Sequence, residues 1–190
     1  MSKREAIIQA TIEVVAEKGI TESPTILLAK RAGAAEYTIF RLFGSKNDLL
    51  VEVFEEVTAR FRTALSPVIA QEQSIEEKLR ALLLNGAAYY RRNPEELAYI
   101  QQYINSPGGE QRRPDILYEM GKDITRFLSI SLLAQGKEQG FLKNLPMTAL
   151  SGLVLAPVIM FLREEQILSI QHETAELNLL IEACLQGARA

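Results

Sequence analysis

Two glycines, Gly33 and Gly44, limit most strongly what this chain can fold into. Each closes a short stretch of helical spacing, where a residue free to take positive φ ends a helix. The first stretch runs from Pro24 to about Ala32, with Ser23 as the expected N-cap and Pro at a helix-opening position. The second, Glu36 to Phe43, sets Ile39 and Phe43 four apart and so on one face. Ser45-Lys46-Asn47-Asp48 then reads as a Ser-x-x-Asp capping box opening a third, longer helix. Two short helices about a Gly-containing turn are the parts of a helix-turn-helix.

Such a unit presents its second helix to the DNA major groove while the first crosses the backbone. With Ile39 and Phe43 turned inward, Glu36, Tyr37, Thr38 and Arg41 are expected to face outward. Arg pairs bidentately with guanine, Thr hydrogen-bonds base or phosphate, and Tyr offers a ring and a hydroxyl. Lys46, at a helix start, suits a phosphate, because free N–H groups and the helix dipole add to its charge.

The run Leu28-Ala29-Lys30-Arg31-Ala32-Gly33-Ala34-Ala35-Glu36-Tyr37-Thr38-Ile39-Phe40-Arg41-Leu42-Phe43-Gly44-Ser45-Lys46-Asn47-Asp48-Leu49 resembles the tetracycline-repressor family of bacterial transcription regulators. Ala32-Gly33, Thr38-Ile39-Phe40, Phe43 and Ser45-Lys46 fall in register with the family pattern without a gap. The resemblance covers about the first quarter of the chain; the rest agrees in length and helical character.

It implies an all-α fold of about nine helices, with a three-helix DNA-binding head over residues 1–46 and a helical ligand-binding and dimerisation body over 47–190. It also implies DNA contacts from Thr25, Glu36, Tyr37, Thr38, Phe40, Arg41 and Lys46. Its further implications are a homodimer through the last two helices, a small-molecule effector in the body, and a repressor released from a palindromic operator. Four departures bear on the DNA sequence read rather than on the fold. Ala35 stands where the recognition helix usually has a Ser cap, a change costing about 0.5–2 kcal/mol. Tyr37 replaces a small residue, Phe40 replaces the commoner Tyr, and Leu42 replaces His.

Charge alone does not point to nucleic acid. The 190 residues carry a net charge of −3. Residues 1–50 hold seven Lys+Arg and six Asp+Glu, a balance of +1; residues 51–190 hold fourteen and eighteen, a balance of −4. One cysteine, Cys184, excludes an intramolecular disulfide framework and fits a reducing cytoplasm. The opening MSKREAII lacks the apolar stretch of a secretory signal, so a cytoplasmic location is expected.

Further helices follow from caps and spacing. Ser2-x-x-Glu5 is a capping box for a helix to Glu17 with Ile7, Thr11, Val14 and Val15 on one stripe, closed by Gly19. The helix from Lys46 is predicted to end near Leu65, before Pro67. Ser74-x-x-Glu77 opens a helix to about Arg92, and Asn93-Pro94 one to about Ile104. The run 105–109 is a loop, followed by helices over 114–137 and about 173–186. Leu145–Leu162 has no charge over eighteen residues, the lower edge for a membrane span. Its two prolines and its polar residues favour a buried helix instead.

Enzyme chemistry finds little support. One His and one Cys cannot build a metal cluster, no phosphate-binding glycine loop occurs, and neither cofactor nor catalytic residue is expected. His172 reads as a surface or cap residue, and Cys184 as packing. Arg91-Arg92 and Arg112-Arg113 read as solvated surface. Tyr89, Tyr99 and Tyr103, with Met120 and Phe127, are candidates to line an apolar ligand cavity, against the plainer reading of core. A helical interaction module that has lost DNA binding, and an α-helical enzyme using that cavity, stay open as alternatives.

Overall fold

The computed structural model describes residues 2–72, 74–110 and 128–190. Ten helices lie among them: α1 (Lys3–Lys18), α2 (Thr25–Arg31), α3 (Glu36–Phe43), α4 (Lys46–Ile69), α5 (Ile75–Arg92), α6 (Pro94–Ile104), α7 (Leu128–Glu138), α8 (Met147–Val154), α9 (Ala156–Leu168) and α10 (Thr174–Ala188). The expected loop-to-helix passage over 114–127, with Met120, Phe127 and Arg112-Arg113, lies outside the described residues. Extended structure among the described residues is an isolated antiparallel bridge between Leu142 and Arg189. The helices form two compact units, one drawn from Met1–Ala59 with Asn93–Arg113, the other from Arg60–Arg92 with Pro114–Ala190.

In the first unit, α1 opens with the predicted capping box: Glu5 N–H donates to Ser2 Oγ (3.2 Å) and Ser2 N–H to Glu5 Oε2 (2.9 Å). Its stripe of Ile7, Thr11, Val14 and Val15 is wholly buried, and α1 packs on α2 and α6. From α6, the buried Tyr99 hydroxyl donates to the Leu50 carbonyl of α4 at 2.6 Å. Tyr103 stacks on Phe54 with centroids 4.7 Å apart. Burial raises the Tyr99 pKa well above its ordinary value, so the phenol stays a donor.

Besides the expected loop 105–109, which is helical again over 107–110, two boundaries differ from expectation. Ser23 does not cap α2; its hydroxyl donates to the Gly19 carbonyl (2.6 Å), and Pro24 occupies the cap position. The Ser23 side chain thus closes the α1–α2 turn and is fully buried. The second difference is α4, which runs through Pro67 to Ile69. Proline removes one helical N–H and crowds the carbonyl four residues back. Here it falls in the last turn, where Ser66 Oγ donates to the Arg62 carbonyl (2.7 Å) and Ala70 N–H to the Ser66 carbonyl (2.9 Å).

In the second unit, α5 packs on α7, α9 and α10. The Ser74–Glu77 capping box forms as predicted. Phe61 lies against Gly86, where a Cβ would come within 3.3 Å of the ring, and between Tyr89 and Tyr90 at 5.5 and 5.0 Å. Arg91 is not solvated surface. It forks onto Glu165 of α9 through Nε (2.9 Å) and Nη2 (2.6 Å), and Glu165 is 6% exposed. Glu165 also accepts the His172 N–H at 3.0 Å, and the His172 ring stacks on Phe161 at 4.3 Å.

The apolar run 145–162 is two helices rather than one, bent by 43° at Leu155. Pro157 explains the break, since it has no N–H for the carbonyl four residues back. Nor is the run buried all round: Val154, Val158 and Leu162 face inward, whereas Leu153, Ile159 and Met160 are exposed. The unit covers one side of this hydrophobic cylinder and leaves the other open. Among the described residues no single helix is long and apolar enough to cross a membrane.

Candidate nucleic-acid interface

The site is built on the two glycine turns. Gly33 (φ +61°) and Gly44 (φ +88°) adopt left-handed backbone that L side chains rarely take. Ala34 N–H donates to the Ala29 carbonyl (2.9 Å) across the first turn, and Gly44 N–H to the Phe40 carbonyl (2.9 Å) at the second. α3 is pinned from behind by Ile39 and Phe43, both buried. Arg4 of α1 reinforces that seat: its guanidinium donates to the Leu42 carbonyl (3.4 Å), lies 4.9 Å over the Phe43 ring and pairs with Glu52 of α4.

The solvent face of α3 is Tyr37, Phe40 and Arg41, all exposed, at the i, i+3, i+4 spacing of one helical stripe. Tyr37 is 65% exposed, and Arg41 holds its guanidinium 5.8 Å over the Tyr37 ring. This geometry brings a guanidinium, a phenol and a phenyl ring together on a short helix whose ends are fixed.

Thr38 does not join them. It is 3% exposed, because one residue along a helix is about 100° of rotation, which carries Thr38 from the Tyr37 face toward Leu42 and Ile39. Glu36 is half-buried and accepts the Thr25 hydroxyl at 2.5 Å, joining the first residues of α2 and α3. Lys46 stands at the start of α4 as expected, but its ammonium donates to the Ile20 carbonyl at 2.9 Å. Burial lowers the Lys46 pKa from its ordinary value. Ser45 caps α4 as predicted, accepting the Asp48 N–H at 3.1 Å and donating its hydroxyl to Asp48 Oδ2 at 2.6 Å.

Three residues here escaped the sequence reading. Arg4 and Arg31 carry their charge to partners within the protein, Arg31 by two bonds to Glu17 of α1 (2.9 and 2.8 Å). That fork holds Glu17 below the usual carboxylate range. Ile26, at the start of α2, is 63% exposed. The signal for it was present: Ile26, Leu27 and Leu28 are consecutive, and a seven-residue helix cannot turn all three toward one core.

Of the candidate cavity residues, Tyr99 and Tyr103 are brought together on α6, rings 6.3 Å apart, in the first unit. Tyr89 lies on α5 in the second unit with Phe61 and Tyr90. Met120 and Phe127 are outside the described residues. Cys184 is buried, and burial pushes its thiol pKa up.

Residues 7–53 match the model of bacterial regulatory proteins of the tetR family, and residues 74–187, more than half of the chain, match that of the tetracyclin repressor-like C-terminal domain. The chain belongs to the tetracycline-repressor family. It is accordingly a DNA-binding transcription regulator and not an enzyme. A fatty acid metabolism regulator protein of Bacillus subtilis is 28% identical over 140 residues, spanning 73% of this chain and 70% of that protein. A tetR family transcription regulator from a Shewanella species superposes over 100% of both chains with a TM-score of 0.82 at 21% identity. The regulator FadR of Bacillus subtilis, solved with stearoyl-CoA, superposes over 97% of this tetracycline-repressor family chain and 99% of its own with a TM-score of 0.75 at 21% identity.

Proposed function

We propose that the protein is a homodimeric repressor that holds a palindromic operator through α3 and leaves it when a long-chain acyl-CoA binds. The observation that carries the DNA half is the exposed Tyr37–Phe40–Arg41 stripe, set on a buried Ile39–Phe43 seat between two left-handed glycine turns. On this reading Arg41 reads a base edge, and Tyr37 and Phe40 lie along the groove. Thr25, at the start of α2, reaches the backbone, and Glu36 fixes Thr25. Lys46 exchanges the Ile20 carbonyl for a phosphate oxygen when DNA arrives. Thr38 positions the helix from its buried side.

The homodimer is supported by the exposed apolar side chains of the last helices, among them Ile159, Met160, Ile167, Leu168 and Leu179. A monomer gains nothing from presenting them to water, and a two-fold partner would bury them. The dimer's symmetry is then mirrored in the operator. The head is residues 1–46 and the body 47–190, with the protein at work in the cytoplasm.

The acyl-CoA assignment is supported by the similarity to the fatty acid metabolism regulator and to the structure solved with stearoyl-CoA. The ligand acts by population shift, so it must bind the non-operator arrangement more tightly than the operator-bound one. Fluorescence anisotropy on a duplex selected with the purified protein tests both halves. Stearoyl-CoA should release the labelled duplex, and free coenzyme A should not. Release by neither would remove the acyl-CoA assignment and leave the DNA reading standing.

A further inference from the structure

We propose that Ile26 and Tyr37 read thymine methyl groups in the operator, an inference that rests on the DNA-binding reading above and adds a specificity determinant to it. Ile26 is 63% and Tyr37 65% exposed. Single exposed apolar residues are ordinary, but these two stand at adjoining helix starts. Ile26 follows Thr25 and Tyr37 follows Glu36, and the Thr25 hydroxyl bonds the Glu36 carboxylate at 2.5 Å. That bond brings the starts of α2 and α3 together, and each helix contributes its next residue, exposed, beside the junction.

The polar inventory around them is largely committed elsewhere. Glu36 accepts from Thr25, Thr38 is buried, Lys46 bonds the Ile20 carbonyl, Arg31 forks onto Glu17, and Arg4 serves Leu42 and Glu52. Arg41 retains an exposed guanidinium, poised over the Tyr37 ring. A face that pairs one guanidinium with large apolar surface matches a major groove that offers guanine acceptors and thymine methyls. The C5-methyl of thymine is the apolar mark there, and G·C pairs carry nothing equivalent. Burying an isoleucine side chain or a phenol ring against that methyl removes both from water, whereas cytosine lacks the methyl and presents an amino group that an isoleucine cannot satisfy.

The test uses the full-length protein and a duplex it selects from random double-stranded DNA. Each thymine of that duplex is replaced singly by deoxyuridine, which deletes the methyl and nothing else. One or two positions in each half-site should lose about fourfold in affinity, the worth of one buried methyl-sized group. Ile26→Ala and Tyr37→Ser should each weaken binding of the parent duplex by at least that factor and abolish the methyl sensitivity at one of those positions. Their exposure keeps both variants folded, and the deoxyuridine series on the unaltered protein needs no variant. A selected duplex whose every deoxyuridine version binds like the parent overturns the methyl reading alone. So does sensitivity that survives in both variants. Failure to select any duplex overturns the DNA-binding reading and this inference with it.

Discussion

Replacing Arg91 by Met should unfold the second unit more readily, and by a large margin. The change removes both bonds that Arg91 makes to Glu165, at 2.9 and 2.6 Å, and leaves that carboxylate with the His172 N–H at 3.0 Å. Glu165 is 6% exposed, so water cannot replace the guanidinium. Removing one partner of a buried pair costs about 3–5 kcal/mol. The Arg91 side chain is 19% exposed, which admits some solvent and favours the lower end, about 3 kcal/mol. For a chain of this size that is a fall in Tm of about 6–12 °C. Replacing both residues, Arg91→Met with Glu165→Leu, should restore most of the loss, since an apolar pair of similar volume needs no compensation.

The loss should also depend on pH. Burial pushes the Glu165 pKa up, but the Arg91 fork, the His172 N–H and the Arg91 charge outweigh it and hold the carboxyl below its ordinary value of 4.5. A depressed pKa in the folded state contributes stability that is complete above the unfolded value and lost as pH falls through the folded one. In Arg91→Met the same carboxyl is buried without its cation, so its pKa rises and protonation relieves the penalty. The gap between the two proteins should therefore be widest near neutrality and narrow below the ordinary carboxylate pKa. Thermal and urea unfolding by circular dichroism, at one protein concentration, measures it. A variant within about 0.5 kcal/mol of the parent at pH 7, or a double variant no better than the single one, would refute the reasoning.

Other perturbations have equally definite outcomes. Tyr99→Phe deletes a buried hydroxyl bonded to the Leu50 carbonyl and should cost about 1 kcal/mol in unfolding free energy. Gly109→Ala sets a Cβ 1.9 Å from the Tyr103 carbonyl oxygen, so the backbone must move; a loss of about 1–3 kcal/mol is expected in the same assay. Lys46→Ala should weaken binding to all DNA sequences alike and lower the slope of log affinity against log salt by about 1, read by anisotropy across a salt series.

The fold was largely legible because its punctuation is local. The capping boxes at Ser2, Ser45 and Ser74 and the positive-φ glycines Gly33 and Gly44 each act within a few residues, and the starts of α1, α4 and α5 and the ends of α2 and α3 follow from them. What sequence could not show is where long side chains end. Arg91 and Arg92 look alike in sequence, yet Arg91 finds Glu165 seventy-four residues away. Lys46 turns to Ile20, and Arg31 to Glu17, for the same reason: a flexible charged side chain goes to whichever carbonyl or carboxylate the fold brings near. On α3, Ile39 and Phe43 gave the buried face correctly, but two anchors four apart leave its width undefined. Thr38 fell inside it. The 145–162 segment misled differently, since composition reports apolarity without saying which side the unit covers or that Pro157 splits it.

The central claim is that the Tyr37–Phe40–Arg41 face of α3 binds a specific DNA sequence. Its most direct test is selection from random double-stranded DNA with the purified full-length protein, run in parallel with Arg41→Ala. The account predicts an enriched palindrome for the parent, a steep fall in its affinity with salt, and a relaxed preference at one position of each half-site for the variant. No enrichment by the parent, or an identical site selected by Arg41→Ala, would contradict it.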